Sequence, residues 1–468
     1  MPCIEVKGTQ SYRVPALQPH PTHSGSLRLL AGLGVLLAAL LLACAPDDGP
    51  PGEFPKGGTE AEASGITRAT AAQSPDDGAP PLSAAFAESY SPPARGLWVL
   101  AEGSVRVLDD PTRIAALLER AQRLGATDLF VQVYRGGRAF YPAGPDIERA
   151  PAVDRLVANG RDPLSELLGA AHADGLKVHA WVNVLSLSTR LDARMIEDLG
   201  PSAILVDRLG RSLLDYPNLD LPEPDRRFYR MGTRGIYLDP AVAVVRERLV
   251  STFRGLLERY PELDGLHLDY IRHPGVLPFS PGSRFGVGLE FGYGAEARAR
   301  YRAETGRPDP IDGAAPGTVR SASAWDAWRR HQVTTLVEEI AAASRQVSPS
   351  LVLSAAVIPY FDRAYLSLAQ DWRAWLETGA IDLAIPMVYT LDDRLLRYQL
   401  ETFAGWTQRD RIWPGLGVWL FDKDPDRAAA QVRSLRTLAF RGEVLFSDDA
   451  LSLAPGLVDT LAGSATTR

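Results

Sequence analysis

The run Gly265-Leu266-His267-Leu268-Asp269-Tyr270-Ile271-Arg272-His273-Pro274 puts a carboxyl at the exit of an apolar strand. Side chains alternate along a strand, so His267 and Asp269 share one face while Leu266 and Leu268 share the other. A carboxyl in that place can attack as a nucleophile or stabilise a developing cation. Other strand-like runs offer residues of the same parity. Asp128–Tyr134 presents Phe130, Gln132 and Tyr134, and Lys177–Val184 presents His179, Trp181 and Asn183. Pro386-Met387-Val388-Tyr389 presents Met387 and Tyr389. Hydrogen-bonding groups at successive strand ends form a ring that a closed apolar core does not need and a polyhydroxylated ligand does.

Each of these residues also has a purely structural reading. His179 and His267 lie inside strands and fit satisfied core histidines, and Asp269 fits a buried ion pair with Arg272. Asp239 reads as a helix cap, and Trp325 and Trp328 as packing on a helix. Asp264 and Asp382 precede their strands, on the face where a barrel keeps stability residues. His172 and His179 straddle a helix–strand junction, but no His-Glu-x-x-His or paired-cysteine spacing accompanies them, so neither a metal nor a cofactor is expected. No Gly-x-Ser-x-Gly elbow is present.

Eight strand-like segments must position these groups: Arg95–Leu100, Asp128–Tyr134, Lys177–Val184, Gly265–Ile271, Leu351–Ile358, Ile381–Tyr389, Ile412–Trp419 and Gly442–Phe446. Helical periodicity fills the gaps, as in 114–121 and 164–171. Strand–helix alternation implies parallel pairing, and eight repeats imply a (β/α)8 TIM barrel. Asp-Pro pairs at Asp110, Asp162, Asp239 and Asp424 mark helix starts, with Asp as cap and Pro at the first helical position. Two connections are long, residues 185–238 after strand three and 274–322 after strand four. Both leave carboxyl ends of strands and so border the barrel mouth. The rival fold, an open doubly wound sheet, lacks the glycine-rich loop it needs after the first strand.

Composition narrows the remaining classes. The 468 residues are 46% apolar and 23% charged with a formal net charge of −7, which leaves no basic footprint for nucleic acid. The two cysteines, Cys3 and Cys44, provide no disulfide framework. Residues 29–43 are apolar and uncharged, follow Arg28, and are too short for a membrane span. They read as the core of a signal peptide. The ending Leu41-Leu42-Ala43-Cys44 resembles a bacterial lipobox, which makes Cys44 the expected lipidated first residue and residues 1–43 the leader. The long stretch before Arg28 allows translation to begin downstream of Met1, and Ala45 after the cysteine favours the outer membrane in a Gram-negative cell. Residues 44–92, rich in Pro, Gly, Ala, Ser and acids, read as a disordered tether, and 93–468 as the barrel domain.

Several segments, in order over most of residues 95–450, resemble the glycosyl hydrolase-like family ten of bacterial envelope proteins. They are Arg95-Gly96-Leu97-Trp98-Val99, Val131-Gln132-Val133, Ala171-His172 with 175–183, Tyr237-Leu238-Asp239-Pro240, Asp264 through Arg272, Gln370-Asp371-Trp372, and Asp382 with 386–389. The resemblance implies a barrel with glycosidase activity, and some members of the family act on peptidoglycan glycan strands lacking stem peptides. The expected substrate contacts are Trp98, Gln132, Tyr134, Tyr141, His179, Trp181, Asn183, His267, Tyr270, Arg272, Met387 and Tyr389. Glycoside cleavage usually needs two carboxyl groups. Asp269 is expected as nucleophile or electrostatic stabiliser, with Asp371 or Glu102 as its partner; a route assisted by a substrate N-acetyl group would need fewer carboxylates. The chain departs from the family pattern after the second strand, where Gly137-Arg138-Ala139-Phe140-Tyr141 lacks the acidic residue commonly placed before Ala-Tyr-Tyr. A carbohydrate-binding protein that has lost turnover is therefore the alternative expectation, and a metal-assisted deacetylase-like enzyme a more distant one.

Overall fold

A computed structural model describes residues 93–220, 235–275, 288–313 and 318–466. The chain divides into two units, Met1–Cys44 and Ala45–Arg468, and all described residues belong to the second. The expected leader, tether and lipidated Cys44 lie outside the described residues.

Eight parallel strands form the barrel. They are β1 (Ala94–Val99), β2 (Asp128–Arg135), β3 (Lys177–Asn183), β4 (Gly265–Asp269), β5 (Val352–Val357), β6 (Leu383–Val388), β7 (Gly415–Gly417) and β8 (Gly442–Phe446). Each pairs with its neighbour in chain order, and β1 pairs with both β2 and β8, which closes the ring. Closure leaves no sheet edge to protect. At the closing seam Arg95 and Glu443 face each other in register, and the guanidinium donates from Nε to the carboxylate at 2.9 Å with both groups buried. The helix Ile114–Leu124 shows how the outer layer is held: Ile114, Leu117, Leu118, Ala121 and Leu124 form one buried stripe at helical spacing.

The strands match the sequence expectation closely, and three local departures have physical causes. β4 stops at Asp269 because Tyr270 takes a φ of 52°, which ends extended backbone. β7 is only three residues long; Pro414, with no N–H to give the ladder, precedes it, and Val418–Phe421 turns into a 3-10 helix. β2 carries a register shift between Gln132 and Tyr134. Of the Asp-Pro starts, Asp110 and Asp162 cap as expected, accepting from Thr112 and Ser165 N–H, whereas Asp424 makes no cap bond.

Acids at the amino ends of strands serve the backbone. Asp264 accepts from the Val178 N–H at 2.7 Å and Asp382 from the Leu353 N–H at 2.9 Å, each fastening a neighbouring strand. At the opposite end the two long connections are stitched together: Asp207 bridges Phe291, and buried Arg208 donates to Glu290 at 2.8 Å.

The barrel interior is filled by rings. Trp98 packs against Phe130, His267, Tyr389 and Phe446, and Phe130 stacks on His179 at 4.5 Å between centroids. Gly415 makes room for Trp98, since a Cβ there would lie 2.6 Å from the indole. Gly415→Ala is therefore expected to destabilise the fold by roughly 1–3 kcal/mol, read as a lower urea midpoint at unchanged slope. A midpoint equal to the parent's would show that the indole has room to move.

Candidate active site

Asp269 faces the interior at the mouth. Trp181, an inward residue of β3, donates from its indole Nε1 to Oδ2 at 3.1 Å, and the Tyr270 backbone N–H donates to Oδ1 at 2.7 Å. The left-handed φ of Tyr270 costs a non-glycine residue roughly 1 kcal/mol or more, strain of the kind that collects at functional sites. The Asp269 carboxyl is only 6% exposed. Burial raises its pKa above the ordinary carboxyl value, against the opposing pull of Arg272, the two hydrogen-bond donors and Arg135.

Beneath Asp269 on the same face, His267 is fully buried and held by two partners. Trp98 donates from Nε1 to its Nε2 at 3.1 Å, so the other ring nitrogen, Nδ1, carries the proton and faces Ser354 Oγ at 2.8 Å. Burial, reinforced by neighbouring His179, holds the His267 pKa well below that of a free imidazole. His179 lies a layer lower, against Asp128 at 2.9 Å. Trp98, His179 and His267 are thus interior residues rather than lining of the mouth, because their register places them below Asp269.

Around the acid sit Tyr389, Tyr270, Tyr237, Asn183 and Gln132. Tyr389 keeps its phenol proton far above the ordinary range because it is buried beside Asp269 and Tyr270. Gln132 donates to Asn183 Oδ1 at 3.1 Å and accepts from the Ala101 N–H at 3.3 Å, bracing β1, β2 and β3 at their exits. Met387 is half-buried on the inward parity of β6. The Arg272 guanidinium lies 5.0 Å from the centroid of the Tyr270 ring. Glu102, exposed beyond β1, accepts from Arg135 Nε at 2.8 Å, and Arg135 is also one of the cations acting on Asp269.

Besides Trp98, His179 and His267, three expected site residues lie elsewhere. Tyr134 turns outward onto Phe253, because the shift in β2 sets it opposite Val182, a residue of the other parity. Tyr141 also packs away from the mouth, against Tyr260, since the chain folds back at Arg138–Ala139 antiparallel to β2. Asp371 is not brought to Asp269. Gln370 spends its side chain on the end of β5, accepting from the Ile358 N–H at 2.9 Å, which leaves Asp371 half-buried among Arg330, Glu377 and Arg373. Arg135 and Tyr237 are the neighbours of Asp269 that parity alone does not reveal. Arg135 follows the bulge, and Tyr237 arrives from the long third connection, where it bridges Ser186. Among the described residues, no group of three or more His, Cys, Asp and Glu side chains is arranged to hold a metal ion.

A closed parallel barrel with a buried carboxyl at the exit of its fourth strand, ringed by tyrosines, tryptophan and amides, is a (β/α)8 protein with its polar groups gathered at the end where barrel enzymes place their sites. The chain belongs to the family described as Glycosyl hydrolase-like 10, which residues 93–413 match. It is 25% identical over 337 residues to glycosyl hydrolase DigH of Escherichia coli K12, covering 65% of this chain and 67% of that protein. Its identity to glycosyl hydrolase YngK of Bacillus subtilis 168 is 22% over 290 residues, covering 58% of this chain and 48% of YngK. The fold is shared with the PgaB (BpsB) glycoside hydrolase domain from Bordetella bronchiseptica, at a TM-score of 0.56 and 15% identity over 79% of this chain and 99% of that one. An alpha-L-fucosidase from Paenibacillus thiaminolyticus shares it at a TM-score of 0.51 and 14% identity, over 80% of this chain and 48% of that one. Family membership makes glycoside hydrolysis of polysaccharide the class of activity.

Asp239, in the Tyr237–Pro240 segment, is a second buried acid. One oxygen accepts from the Ala241 N–H at 2.9 Å, the other is unpartnered, and burial pushes its pKa up to about 6. A folded-state pKa above the unfolded value of 3.8 means that its contribution is full below about pH 4 and is lost as pH rises through about 6. The parent should therefore lose about 2 kcal/mol between about pH 4 and 7 relative to Asp239→Asn. Urea unfolding of both proteins at the two pH values checks this; equal pH slopes would contradict it.

Proposed function

We propose that the chain is a lipid-anchored glycosidase of the bacterial cell envelope, acting on an N-acetylated polysaccharide such as peptidoglycan glycan strands. The observation that carries the reading is the Asp269 carboxyl, buried in the mouth with a raised pKa. A carboxyl whose pKa is raised by burial is suited to general acid work. Asp269 gives its proton to the glycosidic oxygen as the bond to the anomeric carbon breaks. The Trp181 indole and the Tyr270 N–H then stabilise the carboxylate that remains. This role differs from the nucleophile or electrostatic stabiliser expected from sequence, because burial outweighs the neighbouring cations.

Glu102 serves as the second carboxylate, taking a proton from the water that adds to the anomeric carbon. Its support is Arg135, which bonds Glu102 and acts on Asp269, whereas Asp371 has no such link. Gln132, Asn183, Tyr270, Arg272, Met387 and Tyr389 supply the contacts to sugar. Purified peptide-free glycan strands incubated with the full-length chain should yield soluble fragments. Asp269→Asn and Glu102→Gln should each cut kcat at least about a hundredfold. Undiminished turnover by Asp269→Asn removes that acid from the chemistry, while undiminished turnover by Glu102→Gln shifts the second role to the substrate's acetamido group. Binding without fragments from the parent protein would favour a binding protein instead, a reading supported by Arg138 standing where the family commonly has an acid.

The anchor is Cys44, with residues 1–43 as the removed leader and 44–92 as a tether that lets the barrel stand off an outer membrane facing the periplasm. Among the described residues no helix is long and apolar enough to cross a membrane. Labelled palmitate should enter the parent protein and not Cys44→Ala; equal labelling rejects the anchor.

A further inference from the structure

A groove of about 310 Å³ opens beside the exit of β5, apart from the Asp269 site, and Phe361, Tyr365, Asp371 and Arg373 help to line it. Its volume is on the scale of a small-molecule site. Phe361 and Tyr365, which help to line the groove, are 37% and 40% exposed. Both rings are held in place. The Arg330 guanidinium lies 3.6 Å from the Tyr365 ring centroid and donates to the Tyr365 carbonyl at 2.8 Å, and Phe361 packs edge-on against Trp406 at 5.4 Å. Asp371 precedes the helix Trp372–Glu377, where the Ala374 N–H acts on its carboxyl, and the acceptor capacity that remains stands in the groove wall. Arg373 adds donors. The groove is also tied to the catalytic loop: His273, four residues past Asp269, donates its backbone N–H to the carbonyl of Leu368, at the end of the helix Phe361–Leu368.

We propose that this groove is an accessory glycan subsite, holding sugar units of the same polysaccharide chain whose scissile bond lies over Asp269. Rigid, partly exposed rings flanked by a carboxyl and a guanidinium match a pyranose, which offers an apolar C–H face and a rim of hydroxyls. Within Gln370-Asp371-Trp372, whose outer two side chains are buried on the end of β5, Asp371 then serves binding rather than proton transfer. The proposal rests on the glycosidase reading given above.

The test uses the full-length chain and peptide-free glycan strands sorted into short and long fractions. Tyr365→Ala and Phe361→Ala should each raise KM on long strands about tenfold, the size of one lost ring contact, with kcat and short-strand kinetics held. Tyr365→Phe, which keeps the ring, should retain the parent KM. A long-strand KM unchanged by either alanine variant, or changed equally on short strands, overturns the subsite and leaves the glycosidase reading intact. If the parent cleaves nothing, the glycosidase reading falls by itself. The groove is then read by fluorescence titration with long strands, where Tyr365→Ala must weaken binding about tenfold and equal affinity overturns it.

Discussion

The indole of Trp181 donates to a carboxyl that the barrel has taken out of water, and that pairing sets conditions for everything around it. A buried carboxyl keeps its proton only if the groups near it do not pull the proton away. His267, directly below, would do so if it were charged. It is held neutral by burial and by the Trp98 indole, which occupies its Nε2 and directs the remaining proton to Ser354. The interior rings therefore do more than fill space: they keep the nearest imidazole uncharged. The two cations that do oppose burial, Arg272 and Arg135, stand at the rim and are only half-buried.

The same residue type does different work at the two ends of the barrel. Asp264 and Asp382, at the amino ends of strands, accept backbone N–H groups from neighbours and fasten the sheet. Asp269, at a carboxyl end, accepts one backbone and one indole N–H, and the two connections that leave this end are stitched at Arg208–Glu290. Acids that fasten the backbone and the candidate catalytic acid thus lie at opposite ends of the barrel, the division expected for this fold.

Much of this was legible from alternation alone. Period-two patterning places all eight strands and gives the inward parity of Trp181, Asn183, His267 and Asp269, because a strand buried on both faces leaves few other arrangements. Reading failed where local geometry breaks the period. A single shift after Gln132 flips Tyr134 to the helices and brings Arg135 into play, and no residue type announces that bulge. Tyr237 reaches the site through a long connection, a contact set by tertiary folding rather than by local pattern. Chain position puts Asp371 on the mouth side, but the side-chain bond of Gln370 to β5 decides which way the next residue goes.

The central claim is that Asp269 retains its proton above the ordinary carboxyl range while held by Trp181 and Tyr270. Carbon-13 NMR titration of aspartate-labelled full-length protein, with Asp269→Asn to assign the resonance, tests it most directly. A carboxyl resonance absent from the variant and titrating above the free aspartate value of about 3.9 is the expected result. A resonance titrating at or below that value would contradict the account.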